Sequence, residues 1–252
     1  MKHQLTLRLS FVNLLKGGSL HLGLVDPEGK PLPPMQPGQF VEVAVDKAKV
    51  LLNRPFSIFN YTPECLELLV KPLGRASEAL ASYVPGDTLR VIAPLGNGFT
   101  LPESGKKVLL IGGGVGIAPL YYLARALNER GIRPGLIYGE RTAPDGKLAA
   151  RLAEVADLSI CTDDGTVGFH GLVTAHPLMN TQFDELCVCG PAVMMKAVAE
   201  IARNRGWNTQ VSLENKMACG LGACLCCVED TRTGNRCVCS DGPVFNINEL
   251  KW

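Results

Sequence analysis

The sequence has almost no net charge: 25 Lys and Arg stand against 24 Asp and Glu over 252 residues. That balance excludes the basic stripe of a nucleic-acid-binding protein and the polybasic segment that tethers a chain to an anionic membrane surface. A long uninterrupted apolar run is also missing. The most apolar stretch, KVLLIGGGVGIAPLYYLARAL, is broken by four glycines and a proline, which makes it a poor membrane span. The opening MKHQLTLRLSFVNLL has a basic start but places Leu5, Leu7, Leu9 and Phe11 on alternate positions, the pattern of a strand and not of a signal peptide. Histidine is scarce, and none of His3, His21, His170 and His176 lies near the C-terminal cysteines. Neither a Ser–His–Asp arrangement nor a catalytic carboxylate pair is visible, and there is no internal repeat or low-complexity linker. We therefore expect a cytoplasmic protein, in a compartment where thiols stay reduced.

What is abundant is apolar bulk and cysteine. A hydrophobic content of 46% in a chain of this length supports several real cores. Among the ten cysteines, Cys65, Cys161, Cys187 and Cys189 sit in apolar strand-like runs such as ELCVCG and are expected to be buried core thiols. The other six crowd into MACGLGACLCCVEDTRTGNRCVCSDGPVF.

Two rhythms divide the rest. Residues 1–101 carry short alternating segments, LTLRLSFV, SLHLGLV, GQFVEVAV, RPFSIFN, CLELLVK and DTLRVIA, separated by turn residues; six strands at this spacing predict a closed antiparallel barrel. Residues 102–206 alternate strand and helix, with KVLLIGG leading into APLYYLARALNERG, GLIYGE into KLAARLAEV and ELCVCG into PAVMMKAVAEIARNRG, which predicts an open parallel α/β sheet. Residues 207–252 add one strand-like piece, NTQVSL, and the Cys-rich tail.

Four stretches carry candidate chemistry. LLIGGGVGIAP closes a strand and opens a helix, so the amides around Gly112, Gly113, Gly114 and Gly116 can face a pyrophosphate; Ile117 stands where the strict dinucleotide fingerprint has a third glycine, and a tight turn without a ligand is the competing reading. A second turn, Cys189, Gly190 and Pro191, also sits between a strand end and a helix, and two such turns at one sheet edge form a nucleotide-binding crevice. RPFSIFN offers Arg54, Pro55, Phe56 and Ser57: an Arg able to fork onto a phosphate, with a hydroxyl three residues on. GRASEALA starts a helix at Gly74, Arg75, Ala76 and Ser77, a second anion cradle. An exposed Arg and an ordinary cap are the competing readings of those last two stretches.

In the tail, Cys219, Cys224 and Cys227 stand as C-x4-C-x2-C, the plant-type spacing of a [2Fe–2S] cluster whose fourth ligand comes later, here Cys237 or Cys239. Gly220 and Gly222 let the loop curl so that amides approach the sulfurs. Zinc sites pair their ligands in two close knuckles, a different shape.

A barrel with R-P-x-S and G-x-x-S, followed by G-G-x-G-I-A-P and then C-G-P, resembles the ferredoxin–NADP reductase superfamily over about 200 residues. The resemblance implies FAD held by the barrel, with Arg54 at its pyrophosphate, Ser57 at the flavin ring and Gly74 with Ser77 at the phosphates, and a nicotinamide nucleotide on the second domain. SLENKMACGLGAC and CSDGPVF further resemble the electron-transfer subunits of two-protein, NAD-linked dihydroorotate dehydrogenases. That likeness selects Cys239 as the fourth ligand and leaves Cys226 and Cys237 as bystanders. It also implies a flavin-containing dihydroorotate dehydrogenase catalytic subunit as partner, assembled with two copies of each subunit, and a place in pyrimidine biosynthesis. A reductase serving ferredoxin, a hydrogenase or a sulfur-reducing partner is the rival enzyme; a zinc-containing nucleotide-sensing module is the rival of another class.

Two finer expectations complete the reading. Glu140, ending YGE, would accept from a ribose hydroxyl and repel a 2′-phosphate, favouring NAD(H), although Arg141 beside it pulls the other way. Met217, Leu221, Leu225 and Val244, close to the cluster ligands, are expected to form an apolar docking surface.

Overall fold

The computed structural model describes residues 1–252 throughout. Six strands, β1 (His3–Leu14), β2 (Leu20–Val25), β3 (Phe40–Ala44), β4 (Arg54–Thr62), β5 (Cys65–Val70) and β6 (Thr88–Leu95), close into an antiparallel barrel of order β1-β2-β5-β4-β3-β6, with a short helix α1 (Arg75–Ala79) across one end. The alternation that predicted strands also builds the barrel core: Leu7 and Leu9 of β1, Val41 and Val43 of β3, and Leu89 and Val91 of β6 are all buried inside.

The second unit is a seven-stranded sheet. Its chain order is β7 (Val108–Gly113), α2 (Ala118–Asn128), β8 (Gly135–Glu140), α3 (Gly146–Val155), β9 (Asp157–Thr162), β10 (Phe169–His170), β11 (Glu185–Cys189), α4 (Ala192–Arg205) and β12 (Asn208–Ser212). The spatial order is β10-β9-β8-β7-β11-β12, all parallel, with a last strand from the tail, β15 (Val244–Asn246), antiparallel beside β12. Every residue of β7 is buried, as a central parallel strand covered on both faces requires. The strand order reverses between β7 and β11, and the two glycine turns leave those strands at that switch point.

The tail does not form a separate layer. β12 belongs to the sheet, and after a hairpin of β13 (Val228–Thr231) and β14 (Gly234–Cys237) the chain returns as β15 (Val244–Asn246), antiparallel on β12. So two strands from residues 207–252 complete the nucleotide-side sheet. Asn97, just beyond β6, fastens the tail to the barrel: its amide donates to the Gly242 carbonyl at 2.6 Å, and its Nδ2 donates to the Ser240 and Asp241 carbonyls. No helix of the chain is long and apolar enough to cross a membrane.

The barrel and sheet meet across α2, whose Tyr121 stacks on Phe59 with ring centroids 4.5 Å apart. Tyr122 donates to the Met35 carbonyl at 2.9 Å. Cys161, Cys187 and Cys189 lie in the cores, and burial pushes their thiols up; Cys65 is only half-buried, because it begins β5 at a turn.

Candidate redox site at the junction of barrel, sheet and tail

Residues from all three parts line one cavity of about 270 Å³. β4 contributes Arg54, Pro55, Phe56 and Ser57; Leu73 and Ser77 come from the α1 approach, Val115 and Ala118 from the glycine turn, and Ser212, Leu213, Glu214, Asn215 and Met217 from the start of the tail. Two larger hollows lie away from these motifs, one between Lys106 and Arg133 at the opposite sheet edge and one beside Arg151.

The Arg54 guanidinium is held through one nitrogen, which donates to the Leu52 and Asn53 carbonyls at 2.8 and 3.0 Å, and this orients its remaining donors. Ser77 is spent on its own turn: its hydroxyl accepts from the Leu73 and Gly74 amides and donates to the Gly74 carbonyl. Gly74, Arg75 and Ala76 do not line the cavity, and Ala76 is buried against the barrel core.

The two nucleotide turns pack on each other. A Cβ at Gly116 would lie 2.5 Å from the Cys189 carbonyl oxygen and 2.6 Å from Gly190 Cα, and one at Gly113 would lie 2.9 Å from Pro191 Cδ. Gly112 closes against Ile117, whose side chain fills the place where a third glycine was missing, and Gly114 turns at φ +56°. Cys189 is 1% exposed, so it shapes the crevice through its backbone. Glu140 ends β8 and accepts from the Tyr138 hydroxyl at 2.7 Å.

Sequence reasoning missed Glu214, which stands between the cavity and the crevice. It lines the first, and its charge adds to the larger effect of burial in raising the Cys189 thiol, while its own side chain stays exposed. Nothing in the stretch NTQVSLE marks it out. Glu42 was missed too. It is fully buried on β3, neither carboxyl oxygen has a hydrogen-bond partner, and burial, then the nearby Cys219, push it up to about 7 against the pull of Arg54.

The cluster loop is organised around sulfur. Leu221 donates its amide to Cys219 Sγ at 3.3 Å, Gly222 to Cys239 Sγ at 3.1 Å and Cys239 to Cys227 Sγ at 3.3 Å. Amides aimed at sulfur suit thiolates carrying negative charge, and they hold Cys219 down at about 6; burial, then Cys227, push Cys239 up to about 12. The sulfur of Cys224 also reaches Cys219. The fit to a [2Fe–2S] cluster rests on the C-x4-C-x2-C spacing of Cys219, Cys224 and Cys227 and on the amides aimed at sulfur. Cys239 receives the Gly222 amide, whereas Cys237 Sγ reaches only the Gly222 carbonyl, at 4.0 Å. Met217 packs on the core beneath the tail and Val244 packs on the core around α2, so the expected apolar surface reduces to Leu221 and Leu225.

A barrel, a reversed-order parallel sheet and the segment that leads into a cysteine loop meet at one cavity, and together they define an oxidoreductase of the ferredoxin–NADP reductase type with an iron–sulfur tail. A family model described as the iron–sulfur cluster binding domain of dihydroorotate dehydrogenase B matches residues 214–251. The dihydroorotate dehydrogenase B (NAD(+)), electron transfer subunit, of Shouchella clausii (strain KSM-K16) is 40% identical over 225 residues, 85% of this chain and 86% of that protein. The protein of the same name from Bacillus caldolyticus is 39% identical over 224 residues, again 85% and 86%. Among solved structures, a chain of the NADH-dependent reduced ferredoxin-NADP oxidoreductase superposes with a TM-score of 0.84 at 30% identity, covering 98% of this chain and 90% of that one. The chain belongs to the family of dihydroorotate dehydrogenase B electron transfer subunits.

Proposed function

We infer that this protein carries electrons from the flavin of a dihydroorotate-oxidising partner, by way of a [2Fe–2S] cluster and FAD, to NAD⁺ in pyrimidine biosynthesis. The observation that carries the reading is the shared cavity: β4, the glycine turn at the switch point and the segment running directly into Cys219 line one space. A nicotinamide exchanges two electrons as hydride and a [2Fe–2S] cluster one at a time, and a flavin handles both, so FAD belongs between them.

The chain's own residues supply position and electrostatics. Arg54 offers its free guanidinium donors to the FAD pyrophosphate, Ser57 its hydroxyl to the ring, and the Gly74–Ser77 turn shapes the phosphate end. Gly112, Gly113, Gly114 and Gly116 with Cys189, Gly190 and Pro191 shape the nucleotide crevice, and Glu140 accepts from the ribose. Glu214 provides a carboxyl at the mouth where flavin cavity and crevice meet. Cys219, Cys224, Cys227 and Cys239 hold the irons. The division of labour is residues 1–101 for FAD, 102–206 for NAD and 207–252 for the cluster. The partner is the flavin-containing catalytic subunit of dihydroorotate dehydrogenase B, in a heterotetramer with two copies of each chain.

The likeness to the NADH-dependent reduced ferredoxin-NADP oxidoreductase favours one second reading, a reductase serving ferredoxin. Purified protein should hold one FAD, two irons and two acid-labile sulfides, and together with the co-purifying subunit should form NADH from NAD⁺ only when dihydroorotate is added. Stoichiometric zinc without sulfide, or NADH formation driven by reduced ferredoxin alone, would overturn the reading.

A further inference from the structure

Glu42 is the one barrel carboxyl enclosed between the flavin strand and the cluster loop. On β3 it pairs in register with Pro55 of β4, so it sits diagonally beside Arg54, which pairs with the next residue, Val43. On its other side it fills the space left by Gly220: a Cβ on Gly220 would lie 2.7 Å from Glu42 Cγ and 3.1 Å from Oε1. Gly220 takes φ +65°, so the loop is glycine both for its turn and for the room it gives this carboxyl. Glu42 is 0% exposed, and neither oxygen receives a hydrogen bond.

An acidic side chain is costly to bury without a partner, and its field is poorly screened where water is excluded. Its charged neighbours are Arg54 on the flavin side and Cys219 on the cluster side. Resting on the cluster assignment made above, we propose that Glu42 is a positioning residue for electron transfer, whose carboxyl in the seam between β4 and the Cys219–Gly220 turn lowers the reduction potential of the cluster. Acceptor oxygens oppose the arrival of an electron on a group beside them, so the field of Glu42 favours passage of that electron onward to the flavin. Arg54 moderates the effect, and an FAD pyrophosphate engaging Arg54 strengthens it.

The test is an EPR-monitored redox titration of the purified holoprotein at one mildly alkaline pH, comparing the native chain with Glu42→Gln and Glu42→Leu. At the native midpoint, both variants should raise the ratio of reduced to oxidised cluster about tenfold, equivalent to about 59 mV for a one-electron couple. A change under about twofold in both variants overturns the proposal. So does a shift confined to Glu42→Leu, which would mark lost shape and not a lost field. Absence of any [2Fe–2S] signal in the native protein overturns instead the cluster reading on which the proposal stands, and the flavin absorbance of each variant reports that the barrel is intact.

Discussion

Glu67 on barrel strand β5 and Arg151 on α3 form the ion pair that fastens the barrel to the sheet, with Arg151 Nη1 2.8 Å from Glu67 Oε2. The pair sits in a larger network. Glu67 also accepts from Asn60 Nδ2 at 2.6 Å and lies 2.6 Å from His21 Nε2; Arg125 reaches Asn60, and Arg151 donates to the Tyr121 hydroxyl at 3.3 Å. These contacts fix how the flavin side faces the nucleotide side.

Arg151→Met should therefore cost about 2–3 kcal/mol, because it leaves the half-enclosed Glu67 short of its cationic partner while keeping most of the apolar stem. Burial would raise the Glu67 carboxyl, but the hydrogen bonds from His21, Arg151 and Asn60 outweigh it and hold the group at about 2. A carboxyl depressed in the folded state adds stability at neutral pH, and that stability fades as pH falls from the ordinary carboxylate range towards 2; its full size is about 3 kcal/mol. Denaturant midpoints measured down that range should converge for the native chain and Glu67→Gln. Parallel curves would mean that Glu67 contributes nothing through its charge.

Gly116 is a second point of contact, between the two nucleotide turns. An alanine there meets the Cys189 carbonyl at 2.5 Å, and backbone cannot swing aside as a flexible side-chain tip would. Gly116→Ala should loosen the crevice at a cost of about 1–3 kcal/mol and weaken NADH binding at least tenfold, with FAD content unchanged. Gly146→Ala, where the added carbon meets open space, serves as the control. Equal NADH affinity in all three proteins would remove the crevice from the nucleotide site.

The proposal of Cys239 as a ligand rests on the resemblance, while that of Cys219, Cys224 and Cys227 rests on local spacing. Strands, helices and unit order were legible in the same way, because each rests on local pattern: alternation in β1 and β6, and glycine at the ends of β7 and β11. Glu42 was illegible for the same reason. In GQFVEVAV it alternates with Val41 and Val43 and reads as a residue facing water; the tail, from more than 170 residues away, covers that face. Residues 207–212 looked like the start of the tail because a lone strand carries no sign of its neighbour, yet β12 pairs with β11 over five residues. Val244 looked exposed beside the ligands, but it opens a strand on β12. Long-range pairing is what local pattern does not encode.

Glu140 governs the choice of nucleotide if the ribose lies over the end of β8. Its carboxyl is fixed by the Tyr138 hydroxyl and sits half-buried, while the neighbouring Arg141 is exposed. A held anion beside the 2′ position disfavours a 2′-phosphate more than a mobile, solvated Arg favours it. Steady-state kinetics should show a preference for NADH over NADPH. Glu140→Gln should raise the NADPH-to-NADH ratio of kcat/KM about tenfold, roughly 1.4 kcal/mol. A native preference for NADPH would reverse the assignment.

The apex of the cluster loop is the expected contact with the partner subunit. Leu225 stands between Cys224 and Cys226, is 65% exposed and adopts φ +57°, a conformation that costs a branched side chain strain. Leu221, at 44% exposure, lies in the same loop, and its amide is already committed to Cys219. Two leucines held in water beside the cluster ligands, one of them on a strained backbone, fit a surface that is buried on assembly; covering each contributes about 1.5–3 kcal/mol. A permanent complex of this kind should bury more than roughly 2,000 Å² in total. Leu225→Asp removes the apolar contact and asks the interface to bury a charge, so affinity for the catalytic subunit should fall at least a hundredfold by analytical ultracentrifugation. NADH-driven reduction of the chain's own flavin should be unaffected, because the crevice and cavity lie on other elements. If Leu221→Asp and Leu225→Asp both assemble normally and sustain dihydroorotate-dependent NADH formation, the cluster loop is not the docking face, and the partner must approach over another side of the tail.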